Sequence, residues 1–156
     1  MTAAADFECH AEGPAGRILL ARKAHDEWLE IAQGRSREDV QRRTKLKKHF
    51  EEFVTNGPAR LGEDHFRREG AFADGRGASV AIWVFKVWQW RLYGAILPIR
   101  GVQCFVGVKV DPSKKRNKAD QDLLKAVAKE IGGLAEYRPA HEKGGGDDGR
   151  SARKRR

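Results

Sequence analysis

Residues 80–110, which read VAIWVFKVWQWRLYGAILPIRGVQCFVGVKV, decide the fold class of this chain. β-Branched and aromatic side chains dominate the stretch, and such residues favour strands. Pro98-Ile99-Arg100-Gly101 is a turn signal within it. A buried helix is the alternative for any short apolar run, but the turn and the β-branched content argue against it. The stretch therefore predicts three strands, near residues 81–87, 90–97 and 102–110, joined by tight turns.

The first two of these strands predict a hairpin in which two cations face each other. A two-residue loop at Trp88-Gln89 places Lys86 directly opposite Arg91, and alternation puts Val84 and Tyr93 on the same face. Like charges directly opposite each other repel, so an anion such as phosphate over the pair would stabilise it. The alternative is that both side chains extend into water from an edge hairpin. The opposite face carries three predicted core residues: Trp83, Phe85 and Leu92.

Two helices are predicted before the strands. The first covers residues 23–32, whose apolar side chains cluster on one side. Ser36, three residues before Asp39, is a variant of the capping box and begins a second helix over residues 37–55. Asn56-Gly57-Pro58 ends that helix, because Gly permits a left-handed cap and Pro cannot continue the helix.

The remaining segments complete the predicted order of elements. Residues 17–22 are a short apolar run and predict a first strand, whereas residues 69–79 are rich in Gly, Ala and Asp and predict a loop. Asp120 is a predicted N-cap, and apolar residues follow at helical spacing until Gly132-Gly133 ends the last helix. That helix is expected to cover one face of the sheet.

The prediction is one α+β domain over residues 17–137, with N-terminal helices, an antiparallel β-meander and a C-terminal helix packed on the sheet. Residues 1–16 are small and polar and predict a flexible leader. Residues 138–156 are low in complexity and basic, and they predict a disordered tail.

Composition restricts the classes of protein that fit. No run of 18 or more apolar residues is present, and residues 1–16 do not resemble a secretory signal, so a cytoplasmic protein without a membrane partner is expected. Cys9 and Cys104 do not form a disulfide framework. The five histidines are scattered, so no metal site and no cofactor are predicted.

The formal net charge of +9 bears on partners and solubility rather than on the fold. Seven Lys/Arg against two acids fall in residues 35–49, within the second predicted helix and its entry. This pattern favours contact with RNA phosphates, with a solvated helix face as the alternative. The predicted RNA-binding residues of this helix are Arg42, Arg43 and Lys47.

Several of these features together resemble the RelE/HigB/ParE toxin superfamily, most closely its phage-derived, HigB-like branch. That family has an aromatic residue, then an Arg or Lys, then an aromatic-Arg pair on the next strand, and Trp83, Lys86 and Trp90-Arg91 fill these places. A Lys-Lys pair at Lys114-Lys115 precedes the last helix, as in the family. The resemblance covers residues 17–134, and Trp88 departs from it by standing where a Gly is usual.

The resemblance implies a ribosome-dependent endoribonuclease that cleaves messenger RNA and is neutralised by a cognate antitoxin protein. Lys86 and Arg91 would stabilise the reacting phosphate, and Tyr93 would stack on a base or bond to the sugar–phosphate, unless it is an ordinary cross-strand aromatic residue. The general base stays open between His65 and a lysine with a lowered pKa. The residues implied to hold the RNA backbone are Lys109, Lys114, Lys115, Arg116 and Lys118.

Two other functions stay open at this point. The chain could be a non-catalytic module of the same fold that binds nucleic acid or a topoisomerase. It could also be a phage or mobile-element accessory protein, with Trp88 and Trp90 at the hairpin tip as an anchor for another protein.

Overall fold

A computed structural model describes residues 7–112 and 120–139 of the 156-residue chain. Six strands and three helices follow each other in these ranges, and a single 3₁₀ turn, Pro58–Arg60, lies after the second helix. The α+β class predicted from the sequence is confirmed. The elements are β1 (Phe7–Gly13), β2 (Gly16–Ala21), α1 (Arg22–Gln33), α2 (Arg37–Asn56), β3 (Phe66–Ala73), β4 (Ser79–Val87), β5 (Trp90–Ile99), β6 (Val102–Asp111) and α3 (Gln121–Gly132).

All six strands form one mixed sheet with the order β1-β2-β6-β5-β4-β3. β2 runs parallel to β6, and the other neighbours are antiparallel. Parallel pairing needs a long crossover between the two strands, and α1, α2 and the strands β3 to β5 supply it. The three strands predicted within residues 80–110 are confirmed as β4, β5 and β6.

Helices cover both faces of the sheet, which explains why residues 80–110 are apolar almost throughout. α1 and α2 pack on one face and α3 packs on the other. The core on the α1/α2 side includes Trp28, Phe50, Phe53, Phe85, Trp90, Leu92 and Phe105. The core on the α3 side includes Val84, Tyr93, Val106, Leu124, Val127 and Ile131.

The helix boundaries follow the predicted caps. The Ser36 hydroxyl accepts a hydrogen bond of 3.0 Å from the backbone N–H of Asp39 at the start of α2. Gly57 ends α2 with a φ of 86°, and the Asp120 carboxylate accepts a 2.9 Å bond from the N–H of Asp122 at the start of α3. Within the described ranges, no helix is both long and apolar enough to cross a membrane.

The prediction of a flexible leader is wrong for residues 7–16, because β1 forms there and pairs with β2. Two strands therefore precede the helices. β1 is an edge strand whose stability comes from backbone pairing and from contacts with distant residues. The ring of His10 lies 5.6 Å from that of Trp28, and the N–H of Ala15 donates to the Val54 carbonyl over 2.7 Å. Residues 1–6 lie outside the described ranges.

The predicted loop over residues 69–79 is also wrong. β3 continues to Ala73 and β4 begins at Ser79, which leaves a short connection of residues 74–78. Small residues in β3 hide its pattern, and pairing with β4 supplies the strand's hydrogen bonds. A bulge at Glu69 shifts the register of this pair, and Gly70 has a φ of 138° beside it. The predicted tail lies outside the described ranges beyond Pro139.

Candidate functional site

The hairpin of β4 and β5 has the register predicted from the sequence. Lys86 lies opposite Arg91, and Val84 lies opposite Tyr93. Trp88 and Gln89 form the two-residue turn, and Trp88 has a φ of 54° although it is not a glycine. The departure at Trp88 therefore leaves the register unchanged.

Neighbouring strands bring further charges onto the face of the Lys86–Arg91 pair. Arg67 of β3 pairs with Val84, whose side chain belongs to the α3-side core. Asp111 of β6 pairs with Arg91 on the other flank. We call the resulting group the charged cluster. Its members are Arg67, Glu69, Lys86, Arg91, Tyr93 and Asp111.

Lys86 occupies the centre of the charged cluster. Its backbone N–H donates to the carbonyl oxygen of His65 over 2.9 Å, and its side chain is half-buried. Burial lowers the pKa of Lys86, and the charges of Arg67 and Arg91 lower it further. Asp64 and Glu69 raise it, so they oppose this shift. The ammonium group therefore releases its proton more readily than an ordinary lysine.

Arg91 is tied to the hairpin turn. Its Nη1 atom donates to the carbonyl oxygen of Trp88, and to that of Trp90 over 3.1 Å. Burial lowers its pKa, and the charge of Arg67 acts in the same direction. An arginine carries five N–H groups, so the guanidinium has further donors that these two bonds do not use.

Tyr93 is 1% exposed and packs in the core on the α3 side. Its ring therefore has no free face on which a base could stack, and the cross-strand alternative holds in this structure. Burial raises the pKa of Tyr93 to about 12, and the charges of Glu69 and Asp111 add to that effect. Its hydroxyl stays protonated near neutral pH.

Lys109, a predicted RNA-binding residue, is the cross-strand partner of Tyr93 on β6 and lies on the same face of the sheet.

Arg67 and Glu69 belong to the site and were missed in the sequence. Arg67 donates to Oε2 of Glu69 through Nη2 over 3.0 Å and through Nε over 3.3 Å. The Arg67 side chain is 35% exposed, whereas that of Glu69 is 11% exposed. The prediction of a loop at residue 69 concealed β3, so no sequence signal placed these side chains beside Lys86.

Arg43, a basic residue of α2, has a structural role that the sequence did not indicate. The Nη1 atom of Arg43 donates to three carbonyl oxygens at the end of α1, over 3.1 Å to Ile31, 3.2 Å to Ala32 and 2.7 Å to Gly34. Arg43 therefore caps the end of α1 through Nη1, and its assignment to RNA stays a prediction.

Arg42 and Lys47, the other two predicted RNA-binding residues of α2, lie away from the charged cluster, and their assignment to RNA stays a prediction. Nη1 of Arg42 lies 3.5 Å from Oδ1 of Asp39, and the Arg42 guanidinium carbon lies 5.6 Å from the centroid of the Trp88 ring. Lys47 is exposed. α2 packs on the face of the sheet opposite to the charged cluster, so the sheet separates these residues from Lys86. The predicted RNA-binding residues Lys114, Lys115, Arg116 and Lys118 lie between the two described ranges, which end at Pro112 and resume at Asp120.

The histidine and tryptophan candidates are placed as follows. The His65 ring stacks on that of His49 with centroids 4.4 Å apart, and its carbonyl oxygen holds the backbone of Lys86. Trp90 is 2% exposed, which excludes it as an anchor for another protein. Trp88 remains 42% exposed. Among the described residues, no group of three His, Cys, Asp or Glu side chains could hold a metal ion.

Comparison with known proteins adds no relative: no protein-family model, no curated protein and no solved structure matches this chain. The three cations Arg67, Lys86 and Arg91 on one face can bind a phosphate, and Lys86, whose pKa is lowered, can in its neutral form accept a proton from a hydroxyl.

Proposed function

We propose that this protein is the toxin of a type II toxin–antitoxin system, similar to RelE and HigB, and that it cleaves messenger RNA on the ribosome. One observation carries the proposal: Lys86 and Arg91 are direct cross-strand partners on one face of the sheet. Two like charges in this position repel each other, and a bound phosphodiester would remove that cost.

The order of elements supports the proposal. From β2 onward the chain runs strand, two helices, antiparallel strands and a last helix, which is the order that the resemblance implies. β1 and β3 are additions to the predicted core of the domain. A fold of this kind does not determine an activity, which depends on the charged cluster.

The proposed reaction needs little from the protein besides orientation and charge. The 2′-oxygen of one nucleotide attacks the adjacent phosphorus, a new O–P bond forms, and the bond to the 5′-oxygen breaks. Lys86 accepts the proton of the 2′-hydroxyl when its amine is neutral, a form that the lowered pKa favours, and it becomes cationic beside the phosphate as it does so. Arg91 stabilises the negative charge on the phosphoryl oxygens. The leaving 5′-oxygen takes a proton from water.

Induced expression in a bacterial host tests the proposal. The wild type is expected to arrest growth and to produce codon-phased RNA ends in primer-extension mapping. Lys86→Ala/Arg91→Ala is expected to lower cleavage by about 100-fold or more, since removing one stabilising donor from such a site costs about that much. The matched control is Lys125→Ala/Arg60→Ala, which removes one Lys and one Arg from exposed positions outside the cluster and outside residues 35–49.

The outcome is decided by the two double variants together. Both are first compared with the wild type by circular dichroism and thermal unfolding, so that loss of folding is recognised. Full toxicity of a folded Lys86→Ala/Arg91→Ala protein would reject the assigned site. Equal loss in the control would show that total charge, and not the cluster, matters.

A second candidate is a binding module of the same fold without nuclease activity. The burial of Tyr93 favours it, because one of the three residues implied to act on RNA is withdrawn from the surface. This candidate predicts salt-sensitive RNA binding with intact transcripts in the same expression assay. New cleavage ends would exclude it.

A further inference from the structure

Arg67 lies beside the Lys86–Arg91 pair although it is distant from both in sequence. It is the cross-strand partner of Val84, the residue two positions before Lys86 on the same face. The charge of Arg67 lowers the pKa of both Lys86 and Arg91, which shows that the three cations share one electrostatic environment. Its neighbour Arg68 pairs with Trp83 and therefore faces the other side of the sheet.

Pairing with Val84 places the Arg67 side chain on the face of the charged cluster, and Glu69, two residues further along β3, lies beside it. The register then shifts between Arg68 and Gly70. Glu69 is mostly buried and accepts two hydrogen bonds from Arg67 at a single oxygen. Holding a long side chain in one orientation by a buried carboxylate reduces the entropy that is lost when it binds a ligand.

Arg67 keeps binding capacity after it contacts Glu69. Only Nε and Nη2 donate to Glu69, and within the described ranges Nη1 has no hydrogen-bond partner. The side chain is 35% exposed, so a ligand can reach the guanidinium. A guanidinium with a free edge matches two oxygens of a phosphate.

We propose that Arg67, oriented by Glu69 on the same strand, is a third phosphate-binding residue of this site and contacts the RNA phosphodiester together with Lys86 and Arg91. The inference rests on the proposed function for the identity of the ligand. Glu69 acts as a positioning residue: it holds Arg67 and also offsets part of the positive charge around Lys86.

Binding of an RNA that cannot be cleaved tests Arg67 separately from catalysis. The probe is a fluorescent single-stranded 2′-O-methyl RNA, and anisotropy is measured over a series of salt concentrations. Arg67→Ala is expected to weaken binding about 10-fold and to reduce the salt slope by about one. Arg68→Ala, the adjacent residue on the other face, is expected to change affinity less than about 2-fold. Arg67→Lys keeps the charge, so it retains the slope and loses only part of the affinity.

Glu69→Gln tests the positioning role through a pH profile. Arg67, Arg91, Asp64 and Glu69 are the charged groups that act on Lys86, and the Glu69 carboxylate raises its pKa. Removing that charge is expected to shift the acid limb of the cleavage rate to lower pH. An acid limb unchanged in Glu69→Gln would restrict Glu69 to a structural role.

The results separate this inference from the proposed function. If folded Arg67→Ala has the same affinity for the RNA as Arg68→Ala, and the wild type cleaves transcripts, the proposed function stands and the role of Arg67 is rejected. If Arg67→Ala alone loses binding while the wild type cleaves nothing, the binding role stands and the nuclease is rejected. If the wild type does not bind the RNA, both are rejected.

Discussion

Trp88 shows how a single residue accommodates a backbone conformation that its side chain disfavours. It has a φ of 54° at the first position of the β4–β5 turn, where the family that the chain resembles has Gly. A non-glycine residue in this region costs on the order of 1–2 kcal/mol. The Arg42 guanidinium 5.6 Å above the indole ring offsets part of this cost, since such a contact contributes about 0.5–1 kcal/mol at an exposed site.

The turn therefore predicts an unusual order of stability for substitutions at Trp88. Trp88→Gly and Trp88→Ala both lose the contact with Arg42, but only Gly adopts positive φ without strain. We expect Trp88→Gly to be more stable than Trp88→Ala by about 1 kcal/mol in urea unfolding. At Gln89, whose φ is not positive, Ala is expected to be at least as stable as Gly. The same order at both positions would contradict the strain at Trp88.

At the scale of elements, the connection between β3 and β4 fixes the end of α3. The buried Asp74 accepts hydrogen bonds from the Tyr137 hydroxyl over 2.6 Å and from the N–H groups of Arg76 and Ala78 over 2.7 and 3.1 Å. Gly132 lies directly against the Asp74 backbone, and Arg76 donates to the Gly132 carbonyl over 3.3 Å. These contacts hold α3 on the sheet.

Two adjacent glycines test this contact between elements. A Cβ at Gly132 would collide with the carbonyl oxygen of Asp74, so Gly132→Ala is expected to lower the free energy of unfolding by about 1–3 kcal/mol. The higher helix propensity of Ala, worth about 1 kcal/mol, offsets only part of a larger loss. At Gly133 the nearest atom would be the Glu130 oxygen at 3.6 Å, so Gly133→Ala is expected to be neutral or slightly stabilising. Thermal unfolding of both variants measures the difference, and equal stability would show that α3 adjusts without cost.

At the scale of the whole molecule, two histidines link stability to pH. Burial lowers the pKa of His10 on β1 to about 4, with a further contribution from His25, which Glu8 opposes. Burial also lowers the pKa of His49 on α2 to about 4. Three charged or titratable groups add to the shift of His49: His65, Lys45 and Lys48.

The sign of the pH dependence follows from these shifts. Between about pH 4 and pH 6.5 the unfolded chain binds more protons than the folded one, so the free energy of unfolding decreases as pH falls through this range. Because solvent screens these partly exposed groups, we expect the free energy of unfolding to fall by on the order of 1 kcal/mol per histidine from pH 7 to pH 5. Urea unfolding at both pH values measures it. His10→Asn/His49→Asn should have a smaller pH dependence, and an unchanged one would contradict this origin.

Local patterns in the sequence were sufficient for much of the fold and for half of the site. The β4–β5 register follows from period-two alternation and a two-residue turn, so Lys86 and Arg91 could be paired without a structure. The caps at Ser36 and Asp120 are equally local, since each side chain bonds to an N–H two or three residues away. Interactions of this range are determined by neighbouring residues alone.

Tertiary structure decided the features whose partners are distant in the chain. β1 and β3 have weak patterns of their own, and they are strands because β2 and β4 complete their hydrogen bonds. The same pairing brings Arg67 beside Lys86, while the packing of α1 against α2 commits Arg43 to capping. The sequence by itself determined the hairpin and its two opposing cations. Only the tertiary structure decided which other charges surround them, because contacts between distant segments depend on how the whole sheet is assembled.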